Sequence, residues 1–249
     1  PKQAKVSRPV NDAPGQVSSL VKNRPLMLLL AANLLLGIAA GGVAGMLLFY
    51  VEDVLRLESW ASLSMVPLIF SGLLFLPGFL ALSRRVGKHR TLCYALIFQI
   101  AISFLFLVLP AENVVLTLIA FLVLGSSQAL TSYVPRAIMA DVTDIDLAET
   151  GVQKTGYYMS LLQSSSKIAA ALAVGISYPI LGLIGFDPAP DAVNSQDALF
   201  GLRMLMVALP GVVFALVILI MWNFPLGEAH HQELRQRILD QEPEPSDGT

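Results

Sequence analysis

Residues 131–185 read TSYVPRAIMADVTDIDLAETGVQKTGYYMSLLQSSSKIAAALAVGISYPILGLIG. This stretch contains an apolar run, a charged loop and a second apolar run with Lys167 deep inside it, and residues 168–186 carry no charge. If the second run is a helix across a bilayer, Lys167 lies roughly 20 Å beyond Lys154 along the axis. That depth is near the middle of a hydrocarbon core about 30 Å thick. A charge there costs on the order of 3 kcal/mol, so we expect Lys167 to face a partner, a cavity or a substrate.

The composition is that of a membrane protein. Hydrophobic residues make up 55% and charged residues 14%, whereas soluble domains carry about 25% charge. The net charge of -2 argues against a nucleic-acid partner. The one cysteine, Cys93, excludes an internal disulfide and argues against a cysteine-based metal site. His230 and His231 are adjacent and so point to different helix faces, and we predict neither a metal site nor a bound cofactor.

Six apolar runs predict an all-α membrane protein with six transmembrane helices. The predicted spans are about 26–51, 60–82, 91–109, 114–139, 156–184 and 199–224. Residues 1–25 form a polar, basic cytoplasmic linker, and residues 225–249 form a cytoplasmic tail with a short amphipathic helix. Because the chain begins with Pro1 and its first 25 residues are polar, we expect no signal peptide, and either a piece of a longer protein or a processed product.

The distribution of basic residues predicts the topology. Residues 84–90 hold four basic residues between two spans, which marks a cytoplasmic loop. With both termini cytoplasmic, thirteen of the sixteen Lys and Arg residues fall on the cytoplasmic side. We therefore expect an integral membrane protein with both ends inside.

The first span contains small residues at a helix-packing spacing. Gly37, Gly41 and Gly45 follow one another at intervals of four residues, and such residues let two helices approach closely in lipid. Backbone flexibility for gating is the alternative interpretation. Asn33 is an isolated polar residue in this run, and we expect it to hydrogen-bond to a neighbouring helix.

Polar residues at membrane depth are the candidate substrate-binding group. Lys167 is the first candidate, and Gln163, one turn before it, shares its helix face. The second half of the fourth run is unusually polar, which indicates a helix facing a bundle interior. Its candidates are Gln128, Ser132 and Tyr133. The alternatives are hydrogen bonds between helices and a structural lysine bonded to carbonyl groups.

The charged loop is a candidate gate. Ion pairs of its acidic residues with Arg136, with Lys154 or with the 84–90 loop would close the cytoplasmic side. Each exposed pair contributes about 0–1 kcal/mol, which suits a gate that must open. A solvated loop is the alternative. The candidate gating residues are Arg136, Asp141, Asp144, Asp146, Lys154, Arg84 and Arg85.

Three motifs together resemble a known family. Residues 136–146 read RAIMADVTDID and are followed by Thr150-Gly151 and Gly156-Tyr157-Tyr158. This resembles the loop between the tenth and eleventh helices of the glycoside–pentoside–hexuronide:cation symporters, the melibiose-carrier branch of the major facilitator superfamily. Residues 23–25 resemble the start of the seventh helix of that family, and residues 84–90 resemble its loop between helices eight and nine. The resemblance covers about residues 18–240.

The resemblance implies the C-terminal half of a twelve-span carrier. Such carriers bind substrate near the midplane, between two six-helix halves, and work by alternating access. It implies cation-coupled symport of a sugar-like solute, with Lys167 at the helix-eleven lysine that lines the sugar site. Because these six spans hold no buried acidic residue, the coupling Na⁺ or H⁺ is expected at the N-terminal half. The implied partners are that half, the lipid bilayer and a small solute, and the implied location is a bacterial inner membrane.

Other functions remain open at this point. Some relatives move lipids or other amphiphilic anions with the same lysine. A truncated or partner-dependent six-span protein without transport of its own is a further alternative. An intramembrane enzyme is not predicted, because no Ser/His pair, acid pair or HExxH-type motif lies at membrane depth.

Overall fold

The computed structural model describes residues 23–151, 153–189 and 192–224. Within them the regular structure is helical and no strand occurs. The α-helices are α1 (Arg24–Phe49), α2 (Ala61–Val86), α3 (Lys88–Ser103), α4 (Leu105–Val108), α5 (Val114–Gly125), α6 (Gln128–Thr150), α7 (Thr155–Leu183) and α8 (Gln196–Met221). A π-helical turn (Tyr50–Val54) and a 3-10 turn (Glu58–Trp60) join α1 to α2. The predicted tails, 1–22 and 225–249, lie outside the described residues.

These helices form six segments that are long and apolar enough to cross a membrane. The segments are Arg24–Val54, Glu58–Val86, Lys88–Val108, Val114–Leu147, Thr155–Leu183 and Gln196–Met221. The prediction of an all-α membrane protein with six spanning helices is therefore confirmed.

Local sequence signals determine where the helices begin and end. The side chains of Asn23, Asn113 and Ser195 each accept a hydrogen bond from the backbone N–H three residues later, as N-caps do. Gly87 separates α2 from α3 and Gly151 ends α6, both with positive φ angles (87° and 68°) that glycine adopts without strain.

Helix α1 packs along α7 and α8 and also contacts α6. A Cβ atom added to Gly37 would lie 2.5 Å from the Cβ of Ala169, and one added to Gly41 would lie 2.7 Å from the Cβ of Ala173. Because glycine has no side chain, the backbones of α1 and α7 can approach closely at Gly37 and Gly41. This contact confirms close packing as the role of the glycine spacing. Helix α3 packs against α8 and α6, and α2 packs against α5.

Two clusters of buried apolar residues hold the two ends of the bundle. One includes Leu26, Leu92, Val142 and Phe224, and it lies at what we call the basic end, where residues 84–90 and 151–154 connect helices. The other lies at the opposite end, around residues 50–61, 106–109 and 181–202.

The charged segment after Met139 is helical, so the expectation of a loop there is wrong. Helix α6 continues to Thr150, and only residues 151–154 connect it to α7. The reason is that Ile138, Met139 and Val142 continue one buried stripe at helical spacing, while Asp144 lies on the exposed side.

The fourth span, Val114–Leu147, is one crossing segment that contains two helices, α5 and α6. The chain turns at Ser126 and Ser127 between α5 and α6. The Ser126 hydroxyl donates to the carbonyl of Val123 at 2.6 Å, and serine hydroxyls bonded in this way compete with the helical backbone ladder.

Candidate substrate-binding face

A cavity of about 220 Å³ lies between α1, α6 and α7. Its polar side chains come from all three helices, and its apolar wall comes from α1 and Leu162. The lining residues are Asn33, Leu36, Gly37, Ala40, Thr131, Ser132, Arg136, Leu162, Gln163 and Ser166. The structure thus brings together Ser132, Arg136 and Gln163, which the sequence predicts separately.

Asn33 fixes the wall of this cavity. Its side-chain amide donates to the carbonyl of Leu162 at 3.2 Å and reaches the hydroxyls of Ser165 and Ser166 at 3.3 and 3.0 Å. The Ser165 hydroxyl in turn donates to the carbonyl of Leu30 at 3.3 Å. The expected bond from Asn33 to a neighbouring helix is confirmed, and it ties α1 to α7 next to Gln163.

Lys167 lies on the exposed side of α7, one turn beyond Gln163. It is the thirteenth of the 29 residues of this helix, which places it close to the middle of the span. Among the described residues it has no hydrogen bond and no ion pair. Its charge is therefore available to a group outside this chain.

The exposed side of α6 continues this polar surface. Ser132, Arg136 and Tyr133 are exposed, and Tyr133 is 57% accessible. Together with Gln163 and Lys167 they form what we call the polar face of α6 and α7. Other exposed helix surfaces are apolar, such as Ile69 and Leu73 on α2.

Gln128 borders a different cavity, of about 90 Å³, deeper in the bundle. Gln99 and Ser103 line it with Gln128, and the hydroxyl of Ser127 hydrogen-bonds to the side-chain oxygen of Gln99. Ala40 of α1 borders both cavities. Of the predicted substrate-binding candidates, Ser132 and Gln163 therefore line one cavity and Gln128 lines its neighbour, while Lys167 and Tyr133 line neither.

Two ion pairs hold the basic end, both of the kind that the sequence predicts. Lys88 lies 2.7 Å from the carboxylate of Asp141 and also donates to the carbonyl of Ala137 at 3.2 Å. Lys154 lies 3.0 Å from the carboxylate of Asp146. Both pairs join segments within this chain.

Three other candidate gating residues do not take part in these ion pairs. Arg84, Arg85 and Asp144 are exposed and form no ion pair with any described residue. Lys88, rather than Arg84 or Arg85, is the partner of Asp141. Lys88 directly follows Gly87 and lies in the first turn of α3.

Three further polar residues line these cavities and are not among the residues predicted from the sequence. Thr131 and Ser166 line the cavity between α1, α6 and α7, and Gln99 lines the deeper one. In the sequence, each of these three residues is a polar residue inside an apolar run, as the predicted candidates are. No group of three or more metal-binding side chains occurs in the part of the chain that the structure describes.

Comparison with known proteins identifies the family of this chain. A family model described as MFS/sugar transport protein matches residues 1–228. The chain belongs to the major facilitator superfamily. Within it, the glycoside–pentoside–hexuronide symporter branch suggested by residues 136–146 and 84–90 is confirmed. It is a family of membrane transporters, not of enzymes.

Individual relatives in this superfamily are distant. The chain is 26% identical over 227 residues to an uncharacterized symporter of Bacillus subtilis, YjmB, and 26% identical over 223 residues to the glucuronide carrier protein homolog of Escherichia coli. It is 28% identical over 226 residues to a putative 2,3-dihydroxypropane-1-sulfonate exporter of Salmonella typhimurium. These matches cover 89%, 88% and 87% of this chain. The chain spans about half the length of these relatives, 48% of each.

Proposed function

We propose that this chain is the C-terminal half of a secondary transporter that moves a small hydroxylated anion by alternating access. The observation that carries the proposal is the polar face of α6 and α7. A lysine and an arginine exposed on spanning helices are unfavourable in lipid. A second six-helix half facing α6 and α7 would enclose them in a central cavity, as in other carriers of this architecture.

The charges on this face support an anionic substrate. Lys167 and Arg136 both lie on it, and neither forms an ion pair with a described residue. Helices α1 and α7 contain no Asp or Glu at all, and the acidic residues of α6 lie only in its last ten residues. An entering carboxylate or sulfonate would therefore meet two cations and no competing acid.

The names of two relatives also favour an anionic substrate. One is a glucuronide carrier homolog and the other a putative 2,3-dihydroxypropane-1-sulfonate exporter. Both names denote solutes with hydroxyl groups and one acidic group. Ser132 and Gln163, which line the cavity next to Arg136, supply neutral hydrogen-bonding groups for such hydroxyls.

We assign coupling and gating to different parts of the molecule. The coupling Na⁺ or H⁺ would bind in the other half, because α1 and α7 offer no carboxylate at membrane depth. Lys88–Asp141 and Lys154–Asp146 would brace the basic end within this half. The exposed Arg84, Arg85 and Asp144 would make the contacts with the other half that form and break during transport.

Removing the charge of Lys167 tests the proposal. In the complete carrier, Lys167→Ala is expected to lower uptake of an anionic glycoside by about 10- to 100-fold, because one charge-assisted hydrogen bond is lost. The measurement is uptake of radiolabelled glucuronide and of its uncharged glucoside analogue into vesicles, at equal carrier content. Lys167→Arg is the matched control, since it keeps the charge and should retain part of the glucuronide uptake.

Comparing glucuronide with glucoside uptake tests whether Lys167 binds the acidic group of the substrate. Loss of glucuronide uptake with retained glucoside uptake would assign Lys167 to the acidic group. Wild-type uptake of both solutes by Lys167→Ala would refute a substrate-binding role for this residue.

A further inference from the structure

A third pocket, of about 420 Å³, lies at the opposite end of the bundle, away from the polar face. It is formed where the π-helical turn after α1, the connection between α4 and α5 and the first two turns of α8 meet. Its charged residues are Asp53, Arg56 and Arg203, and its apolar ones include Val54, Leu199 and Phe200.

Two of these charges are opposite in sign and unpaired. Arg203 is partly buried, and its guanidinium donates to the carbonyl of Leu107 at 3.2 Å, but it forms no ion pair with a described residue. Asp53 is also partly buried and has no basic partner among the described residues. Of the three, Arg56 is the one with an ion pair among the described residues, with Glu112 at 3.8 Å. The pocket therefore holds a cation and an anion that do not neutralise each other directly.

The walls that carry these charges are held in place. The Tyr50 hydroxyl donates to the carbonyl of Phe106 at 2.7 Å, which fixes the turn that bears Asp53. The backbone N–H of Glu112 donates to the carbonyl of Leu55 at 2.7 Å, which fixes the connection beside it. A rigid pocket loses little entropy when it binds a ligand, which favours binding.

An apolar stripe on α8 leads away from the pocket. Phe200, Met204, Val212 and Leu216 are exposed at 57%, 44%, 64% and 45%, and they succeed one another along the exposed surface of the helix. This side has no polar residue of the kind found on α6 and α7, so it suits contact with lipid chains. Trp60, 42% exposed at the same end, is a residue type that anchors at the membrane surface.

We propose that this pocket binds the phosphoethanolamine headgroup of a membrane phospholipid. Arg203 would hold the phosphate, Asp53 would hold the ammonium, and one acyl chain would lie along the stripe that begins at Phe200. A bond between a guanidinium and a phosphate is charge-assisted and strong. A purely anionic headgroup would leave Asp53 without a partner, and a trimethylated ammonium has no N–H to donate to it.

Native mass spectrometry of the complete carrier tests this assignment. Delipidated protein is titrated with dioleoyl phosphatidylethanolamine, phosphatidylglycerol or phosphatidylcholine. The wild type is expected to bind the ethanolamine lipid about tenfold more tightly than the other two, as expected for one additional charge-assisted bond. Arg203→Gln should weaken binding of the ethanolamine lipid about tenfold, and Asp53→Asn should remove the preference for ethanolamine over glycerol.

Matched controls separate the pocket from general effects of charge. Asp197→Asn removes an exposed acid at the start of α8 that does not line the pocket, and Arg90→Gln removes an exposed cation at the basic end. Both should retain the wild-type preference. If Arg203→Gln does not fold, the change in preference in Asp53→Asn decides the question by itself.

Two results would overturn the proposal. One is an unchanged lipid preference in Asp53→Asn. The other is displacement of the lipid by water-soluble glycerophosphoethanolamine at an equal concentration, which would assign the pocket to a soluble zwitterion. Neither result depends on uptake, so the lipid site and the transport proposal can fail separately.

Discussion

The ionic side chains of this chain differ in how tightly they are paired. Lys88 contacts both carboxylate oxygens of Asp141 at 2.7 Å, and these side chains are 41% and 23% exposed. Arg56 and Glu112 are 3.8 Å apart and 62% and 70% exposed. Exposure to water screens the second pair far more than the first.

We therefore expect a measurable coupling between Lys88 and Asp141. In a double-mutant cycle on the complete carrier, Lys88→Ala and Asp141→Ala should show a coupling of up to about 1 kcal/mol in the free energy of unfolding. The same cycle on Arg56 and Glu112 is the control and should show coupling near zero. Equal coupling in the two cycles would mean that geometry and burial do not distinguish these pairs.

At the scale of elements, the contact between α1 and α7 depends on two glycines. Gly37 and Gly41 face Ala169 and Ala173 without room for a Cβ atom. The same contact carries the hydrogen bonds of Asn33 and so shapes the wall of the candidate substrate cavity. Packing between these two helices and the geometry of the cavity are therefore linked.

A side chain at Gly41 should separate these helices. Gly41→Leu is expected to destabilise the complete carrier by about 1–3 kcal/mol, the usual range for overpacking, and to lower its melting temperature in detergent. Gly78→Leu is the matched control, because a Cβ atom at Gly78 of α2 meets no neighbour within 4 Å. Equal melting temperatures for the two variants would contradict tight packing at Gly41.

At the scale of the whole molecule, the surface has two kinds of exposed side within the membrane. The polar face of α6 and α7 bears Gln163 and Lys167, whereas the exposed side of α8 is apolar. If the polar face of α6 and α7 lines a central cavity, it is in contact with water, whereas the exposed side of α8 is in contact with lipid chains.

Cysteine labelling distinguishes these two surfaces. The one native cysteine of this chain, Cys93, is fully buried and should not react. In a complete carrier with no other reactive cysteine, Gln163→Cys should react with a water-soluble maleimide, and substrate should slow the reaction. Val212→Cys, on the apolar side of α8, is the control and should remain unlabelled. Labelling of both positions at the same rate would exclude an enclosed polar cavity at α6 and α7.

The sequence by itself determined the helical class, the six spans and the family, because apolar runs of membrane length and local motifs are encoded residue by residue. It also determined that Lys167 lies near the middle of its apolar helix, since position along a helix follows from counting residues. Only the tertiary structure decided that Ser132, Arg136 and Gln163 line one cavity while Gln128 lines another, because helix rotation depends on packing against neighbours. The continuation of α6 to Thr150 was missed for the same reason, since the buried stripe that extends it faces residues distant in the chain.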